Sequence, residues 1–253
     1  MIIESTKNEL VKRTKALAAK KCRTETGLHF LEGDKLVREA VVSGVNFRDA
    51  FIEEGHDLMF AILEGAGANV HLVSRPVMKA LTNTTEPQWV CATVETPSVK
   101  VPDLYPHGLI VVLESVQDPG NIGTIIRTAD AFGASGVLVN DECADPFAPK
   151  PVRASMGSVY HLPIWYGDIG SELMRMKKMD YTLVCGHLDG SEELPEAGEN
   201  IALIIGNEGH GVSDAVSELC IKYRLPMYGM AESLNASVAA GILIYQFASK
   251  LRQ

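Results

Sequence analysis

Apolar and polar positions alternate along this chain with two different periods, and the changes of period mark out its elements. Over residues 6–20, Leu10, Leu17 and Ala18 recur among lysines at helical spacing; Leu28-His29-Phe30-Leu31 then reads as extended and Glu32-Gly33-Asp34 as a turn. The same reading predicts helices over 35–43, 57–63 and 77–81, and extended segments at 51–52, 70–73 and 90–94. Pro97, Pro102 and Pro106 crowd a stretch that suits an extended linker better than the interior of an element. Beyond it, Leu109–Leu113 is purely aliphatic, as expected for a parallel strand covered on both faces, and similar runs recur at 136–139, 181–184 and 201–205 with helical patterns between them. Residues 189–199 read as a polar surface loop. The pattern implies two α/β domains, residues 1–97 and 108–253, joined by a linker over 98–107, the second built on a mostly parallel sheet.

Three strand-to-helix turns in the second domain concentrate glycine and small polar residues, and in open α/β sheets ligands bind at the carboxyl ends of the strands. In the first, Pro119-Gly120 turns the chain and Asn121 suits the N-cap of a helix whose Ile122, Ile125, Ile126, Ala129 and Phe132 share one stripe. Arg127 projects from the other side with Thr124 one turn before it, so it has no core role; alone, it fits a solvated charge as well as a ligand clamp. In the second, Gly206, Gly209 and Gly211 let a ligand approach the backbone, although their spacing matches neither the dinucleotide fingerprint nor the phosphate loop. In the third, Ser233 or Asn235 caps a long helix with an apolar face of Leu234, Val238, Ile242 and Tyr245, while Met227 and Met230 suit core filling.

Composition narrows the possibilities. With 46% hydrophobic and 22% charged residues, and no apolar run near the roughly 18 residues of a membrane span, the chain reads as a globular protein of the cytoplasm. The five cysteines include no Cys-x-x-Cys pair and no histidines stand at ligand spacing, so neither a disulfide scaffold nor a bound metal is expected. A net charge of −9 disfavours a polyanionic partner, but the charge is unevenly spread. Residues 1–24 carry Lys7, Lys12, Arg13, Lys15, Lys20, Lys21 and Arg23 against Glu4 and Glu9 alone, which suits either a polyanion or a solvated helix face.

Together and in this order, the three turns resemble the three motifs of the SpoU (TrmH) branch of the SPOUT RNA methyltransferases. These are Asn121-x-Gly123-x-x-x-Arg127-x-Ala129 with Phe132-Gly133, then Ile205-Gly206-x-Glu208-Gly209-x-Gly211, then Leu225-Pro-Met227 with Ser233-Leu-Asn235-x-Ser237. Residues 152–157 and 162–164 also sit where that family has similar stretches. Upstream, residues 8–12, Arg23 and residues 30–35 resemble the small L30e-like substrate-binding domain of the ribosomal-RNA members, with Trp89 standing where relatives commonly carry glycine.

The resemblance implies a C-terminal, trefoil-knotted, mostly parallel sheet flanked by helices, preceded by a smaller N-terminal α/β domain. It implies S-adenosylmethionine as methyl donor, a ribose 2′-hydroxyl as acceptor, and a homodimer. Asn121, Arg127, Glu208, Ser233 and Asn235 would face the acceptor, and Gly206, Asn207, Gly209, Gly211, Leu225, Met227, Leu234 and Ala236 would surround the cofactor. The seven N-terminal cations and Arg153 would contact RNA, ribosomal RNA before transfer RNA. Members of the family have been proposed to use the arginine as base. A guanidinium stays protonated, however, so holding a phosphate and acidifying the hydroxyl suits it better, with Glu208 or that phosphate receiving the proton. Two other readings stand beside this one: a ribosome-assembly factor that binds S-adenosylmethionine and RNA without turnover, and a nicotinamide-dependent oxidoreductase, whose fingerprint the sequence lacks.

Overall fold

Residues 2–82, 84 and 86–252 are described by the structure, a computed structural model. The chain divides into two compact units, one formed by Met1–Pro97 with Phe147–Tyr160 and the other by Ser98–Pro146 with His161–Gln253. The first begins with β1 (Ile2–Ile3), α1 (Glu9–Ala16), α2 (Lys20–Thr26), β2 (Leu28–Glu32) and α3 (Asp34–Val42). It continues through β3 (Phe47–Ile52), α4 (Asp57–Gly65), β4 (Asn69–Val73), α5 (Arg75–Thr82) and β5 (Val90–Glu95). Its strands lie in the order β1-β4-β3-β5-β2, with β1 and β3 parallel to β4, and β5 antiparallel to both of its neighbours. Val11, Phe51, Val77 and Met78 are wholly buried in its core.

The helix expected over residues 6–20 is confined to α1, Glu9–Ala16, and a second helix, α2, starts at Lys20. Arg23 holds the break between them: its Nη1 donates to the carbonyls of Leu17 at 2.7 Å and Ala18 at 2.9 Å, groups that a continuous helix would have satisfied itself. Arg23 is only 6% exposed, so it serves the fold and leaves the RNA-facing set to which the sequence assigned it. The other six N-terminal cations are exposed. Trp89 stacks on His56, with ring centroids 3.8 Å apart and planes 10° from parallel.

After β5 come β6 (Leu109–Leu113), α6 (Pro119–Ala131), β7 (Gly136–Val139), α7 (Pro149–Ser155), β8 (Ile164–Tyr166) and α8 (Ile169–Lys178). The chain ends with β9 (Thr182–Ser191), β10 (Ile201–Ile205), α9 (Asp214–Ser217), β11 (Ile221–Tyr223) and α10 (Ala236–Lys250). The sheet of the second unit is parallel throughout, in the order β11-β9-β10-β6-β7-β8. Its central strands β6 and β10 are buried at every residue, as their unbroken aliphatic sequences require.

Three departures from the sequence-based layout have physical causes. Residues 147–160 lie between second-unit strands in sequence but pack with the first unit. There the buried His29 hydrogen-bonds Thr96 at 3.1 Å and the Tyr160 hydroxyl at 3.0 Å, and Gly157, at φ +102°, leaves room for the Glu39 side chain where a Cβ would collide with it. Residues 98–107 are packed within the second unit rather than strung out, because buried Tyr105 donates its hydroxyl to Glu172 at 2.7 Å and Lys100 bridges to Tyr166. Finally, β9 continues to Ser191, three residues into the expected loop, because β11, which the hydrophobic pattern did not reveal, pairs with it across a bulge.

Candidate active site

Parallel strands bring their carboxyl ends to one edge of the sheet, and the turns after β6 and β10 meet there. The turn after β10 is folded on itself. Asn207 and Gly211 exchange two backbone hydrogen bonds of 2.9 Å, the Asn207 carboxamide oxygen accepts from the Gly209 amide at 2.8 Å, and its Nδ2 donates to the Ser115 carbonyl at 2.8 Å. Gly206 admits no side chain, because a Cβ there would overlap the backbone of Gly211 and Val212.

α6 opens with Asp118, not Asn121, as its N-cap: the Asp118 carboxylate accepts from the amides of Gly120 at 2.7 Å and Asn121 at 3.0 Å, and Pro119 takes the first helical position. Asn121 is thereby freed for other contacts. Its Nδ2 donates to Glu208 Oε1 at 2.9 Å, and its Oδ1 accepts from Asn235 Nδ2 at 3.2 Å. Asn235 in turn caps α10, accepting from the Ser237 amide at 2.9 Å and its hydroxyl at 2.6 Å. One polar chain, Glu208–Asn121–Asn235, therefore ties together the three turns singled out by sequence.

Beside it lies a cavity of about 450 Å³, large enough for a nucleoside-sized ligand. All eight residues assigned to the cofactor line it: Gly206, Asn207, Gly209, Gly211, Leu225, Met227, Leu234 and Ala236. Glu208 and Ser233 also border it, whereas Asn121, Asn235 and Arg127 do not. Arg127 stands on the exposed side of α6, opposite the buried Ile122, Ile125, Ile126 and Ala129, and among the described residues its guanidinium has no hydrogen-bond or ion-pair partner. The sequence reading missed His187, Leu188 and Asp189, which line the cavity from β9, because it ended that strand at residue 184. Arg153 lies on α7 in the first unit, its Nη1 4.0 Å from Glu32.

Partial desolvation of the Glu208 carboxyl would raise its pKa, but hydrogen bonds from the Asn121 side chain and the amides of Asp118 and Gln117 outweigh that and hold it below its ordinary value of 4.5. Glu208 is thus a weak base whose charge is committed to fixing the two loops. A carboxylate with a depressed folded-state pKa contributes stability that is present above the unfolded pKa and lost as pH falls through the folded one. Wild-type protein is accordingly expected to melt above Glu208→Gln at pH 7, with the gap in Tm closing as the pH is lowered below about 4.5.

The apolar residues that the periodicity grouped on one face are not the ones α10 buries. Ala240, Leu243, Ile244 and Phe247 are buried, whereas Leu234, Val238, Ile242 and Tyr245 are 38%, 51%, 40% and 56% exposed. The helix is apolar on two sides, and packing within the chain buries only one. Among the described residues, no group of three or more His, Cys, Asp or Glu is placed to hold a metal, and no helix is long and apolar enough to cross a membrane.

Residues 108–245 match the SpoU rRNA Methylase family and residues 8–92 the MRM3-like substrate binding domain. Over 247 residues, 96% of this chain and 97% of the other, the sequence is 37% identical to the 23S rRNA (guanosine(2553)-2'-O)-methyltransferase RlmP of Bacillus subtilis. Among solved structures, an AdoMet-bound rRNA methyltransferase from Sinorhizobium meliloti superposes with a TM-score of 0.90 at 33% identity, covering 99% of this chain and 98% of that one. The SpoU methyltransferase AviRb from Streptomyces viridochromogenes, in complex with AdoMet, gives 0.83 at 29% identity, covering 96% and 98%.

Proposed function

The chain belongs to the SpoU rRNA Methylase family, and from that premise we propose that it methylates a ribose 2′-hydroxyl of ribosomal RNA of the 23S type, using S-adenosylmethionine. The observation that carries this reading is the Glu208–Asn121–Asn235 chain, which reaches through Glu208 a cavity lined by all eight expected cofactor residues. The cavity fits the donor: Gly206 leaves backbone where a side chain would intrude, and Leu225, Leu234 and Leu243 supply apolar walls. S-adenosylmethionine, when bound, supplies an electrophilic sulfonium methyl. The chain's own task is to align the acceptor and help its hydroxyl lose a proton. Arg127, with all its donors uncommitted among the described residues, grips the phosphate of the target nucleotide and acidifies the neighbouring hydroxyl, whose proton passes by way of a phosphate oxygen to water as the 2′-oxygen takes the methyl group. Glu208, held by the Asn121 side chain and the amides of Gln117 and Asp118, is a positioning residue that sets Asn121, while Ser233 and Asn235 face the acceptor. Mapping 2′-O-methyl groups in ribosomal RNA from cells with and without the gene tests the assignment: one site should vanish with the gene, and an unchanged map contradicts it.

The exposed stripe on α10 supports a homodimer whose partner completes the site. Val238→Glu with Ile242→Glu is expected to reduce the sedimenting species from twice the 27.4 kDa chain mass to one, with turnover lost in parallel. Membership of the family supports a knotted C-terminal segment, and a ribosomal-RNA substrate supports a cytoplasmic location. The exposed cations near the N-terminus support RNA contact by the first unit. Replacing Lys7 and Arg13 by glutamine is expected to weaken RNA binding and reduce the slope of log K against log salt by about 2, with S-adenosylmethionine affinity unchanged in calorimetry.

A further inference from the structure

The first unit holds a cavity of about 430 Å³ to which the chemistry above assigns no role. Its floor is apolar: Phe30 and Leu81 are each 5% exposed, and Pro149 joins them from α7. Lys15 on α1 and Lys150 and Arg153 on α7 stand around it, and Thr82 and Thr84 add hydroxyls. One acid reaches in, Glu32 at the end of β2, with its side chain 11% exposed. The Gln88 amide at 3.1 Å and the Thr84 hydroxyl at 3.3 Å hold its Oε1. Its Oε2 lies 4.0 Å from Arg153 Nη1, beyond hydrogen-bond reach, so it keeps acceptor capacity for an incoming N–H.

We propose that this cavity reads one unstacked base of the RNA substrate, with Glu32 accepting an N–H from the base's Watson–Crick edge. The floor covers the face of the base and the three cations take the flanking phosphates. A free inorganic anion would leave the apolar floor unused and meet the Glu32 charge, whereas a nucleotide matches floor, acid and cations at once. The carboxylate favours the amino-bearing edges of adenine, cytosine and guanine over uracil, whose single N–H is flanked by two carbonyl oxygens. Three of the lining residues, Pro149, Lys150 and Arg153, come from the segment inserted between β7 and β8, which gives its packing on the first unit a purpose. The inference rests on the RNA-methyltransferase reading for the identity of the strand.

Fluorescence anisotropy of the full chain with labelled RNA octamers A8, C8 and U8 tests it. Wild-type protein should bind C8 and A8 about tenfold more tightly than U8. Glu32→Gln retains an oxygen for the Gln88 amide and the Thr84 hydroxyl but presents an amide to the base, and should erase that preference. Lys15→Ala with Arg153→Ala, both at exposed positions, should weaken all three octamers alike. Cytidine 5′-monophosphate should compete only weakly; competition with the affinity of C8 would transfer the site to free nucleotides and overturn the RNA assignment. Equal binding of the octamers by wild type, or a preference that survives Glu32→Gln, would overturn the inference even if ribosomal RNA is methylated. Base preference without turnover on ribosomal RNA would instead leave the cavity assignment standing and remove the methyltransferase reading.

Discussion

Gly206→Ala is expected to abolish S-adenosylmethionine binding, with no heat detected by calorimetry at concentrations where wild type saturates. A methyl group at this position would overlap the backbone of Gly211 and Val212 rather than the tip of a movable side chain. Asn207 and Gly211 are joined by two hydrogen bonds, and Asn207 is joined to the Ser115 carbonyl, so the turn opens only by breaking all three. Overpacking of this kind costs about 1–3 kcal/mol or more, a fall of several degrees in Tm for a chain of this size. Gly198→Ala serves as control, since a Cβ there meets nothing within 4 Å, and should bind the donor as wild type does. Normal binding by Gly206→Ala would mean that the cavity beside this turn is not the donor site.

Arg127→Lys should lower kcat by about 10²–10³-fold while leaving donor affinity unchanged. Arg127 does not line the cavity, so nothing in donor binding depends on it. Lysine retains the charge but loses the planar fork that grips two phosphate oxygens at once, and so the substitution separates bidentate positioning from charge alone. Near-normal turnover would show that a point charge suffices and that the fork has no part in aligning the acceptor.

Much of the second unit was legible because its chemistry is local in sequence. Aliphatic runs such as Leu109–Leu113 and Ile201–Ile205 can hardly be anything but covered parallel strands, and glycines at 206, 209 and 211 mark the turn that follows. Arg127 declared its lack of a core role through helical spacing alone, and the structure puts it on the exposed side of α6. What remained hidden depends on partners distant along the chain. β11 is three residues long and reads as nothing until β9 pairs with it. Residues 147–160 reveal their unit through partners such as His29 and Glu39, more than 100 positions away. On α10, two apolar sides of one helix satisfy the same periodicity, and only packing decides which is buried. Asp118 took the cap expected of Asn121 because Pro119 fixes the first helical position behind it, a choice between neighbouring polar residues that composition leaves open.

Incubation of the purified protein with methyl-labelled S-adenosylmethionine and ribosomal RNA from cells lacking the gene tests the catalytic assignment most directly. One ribose should acquire label on its 2′-oxygen, leaving a single newly alkali-resistant phosphodiester, and Arg127→Lys should nearly eliminate it. Label on a base, or none on RNA that wild-type protein demonstrably binds, would contradict it.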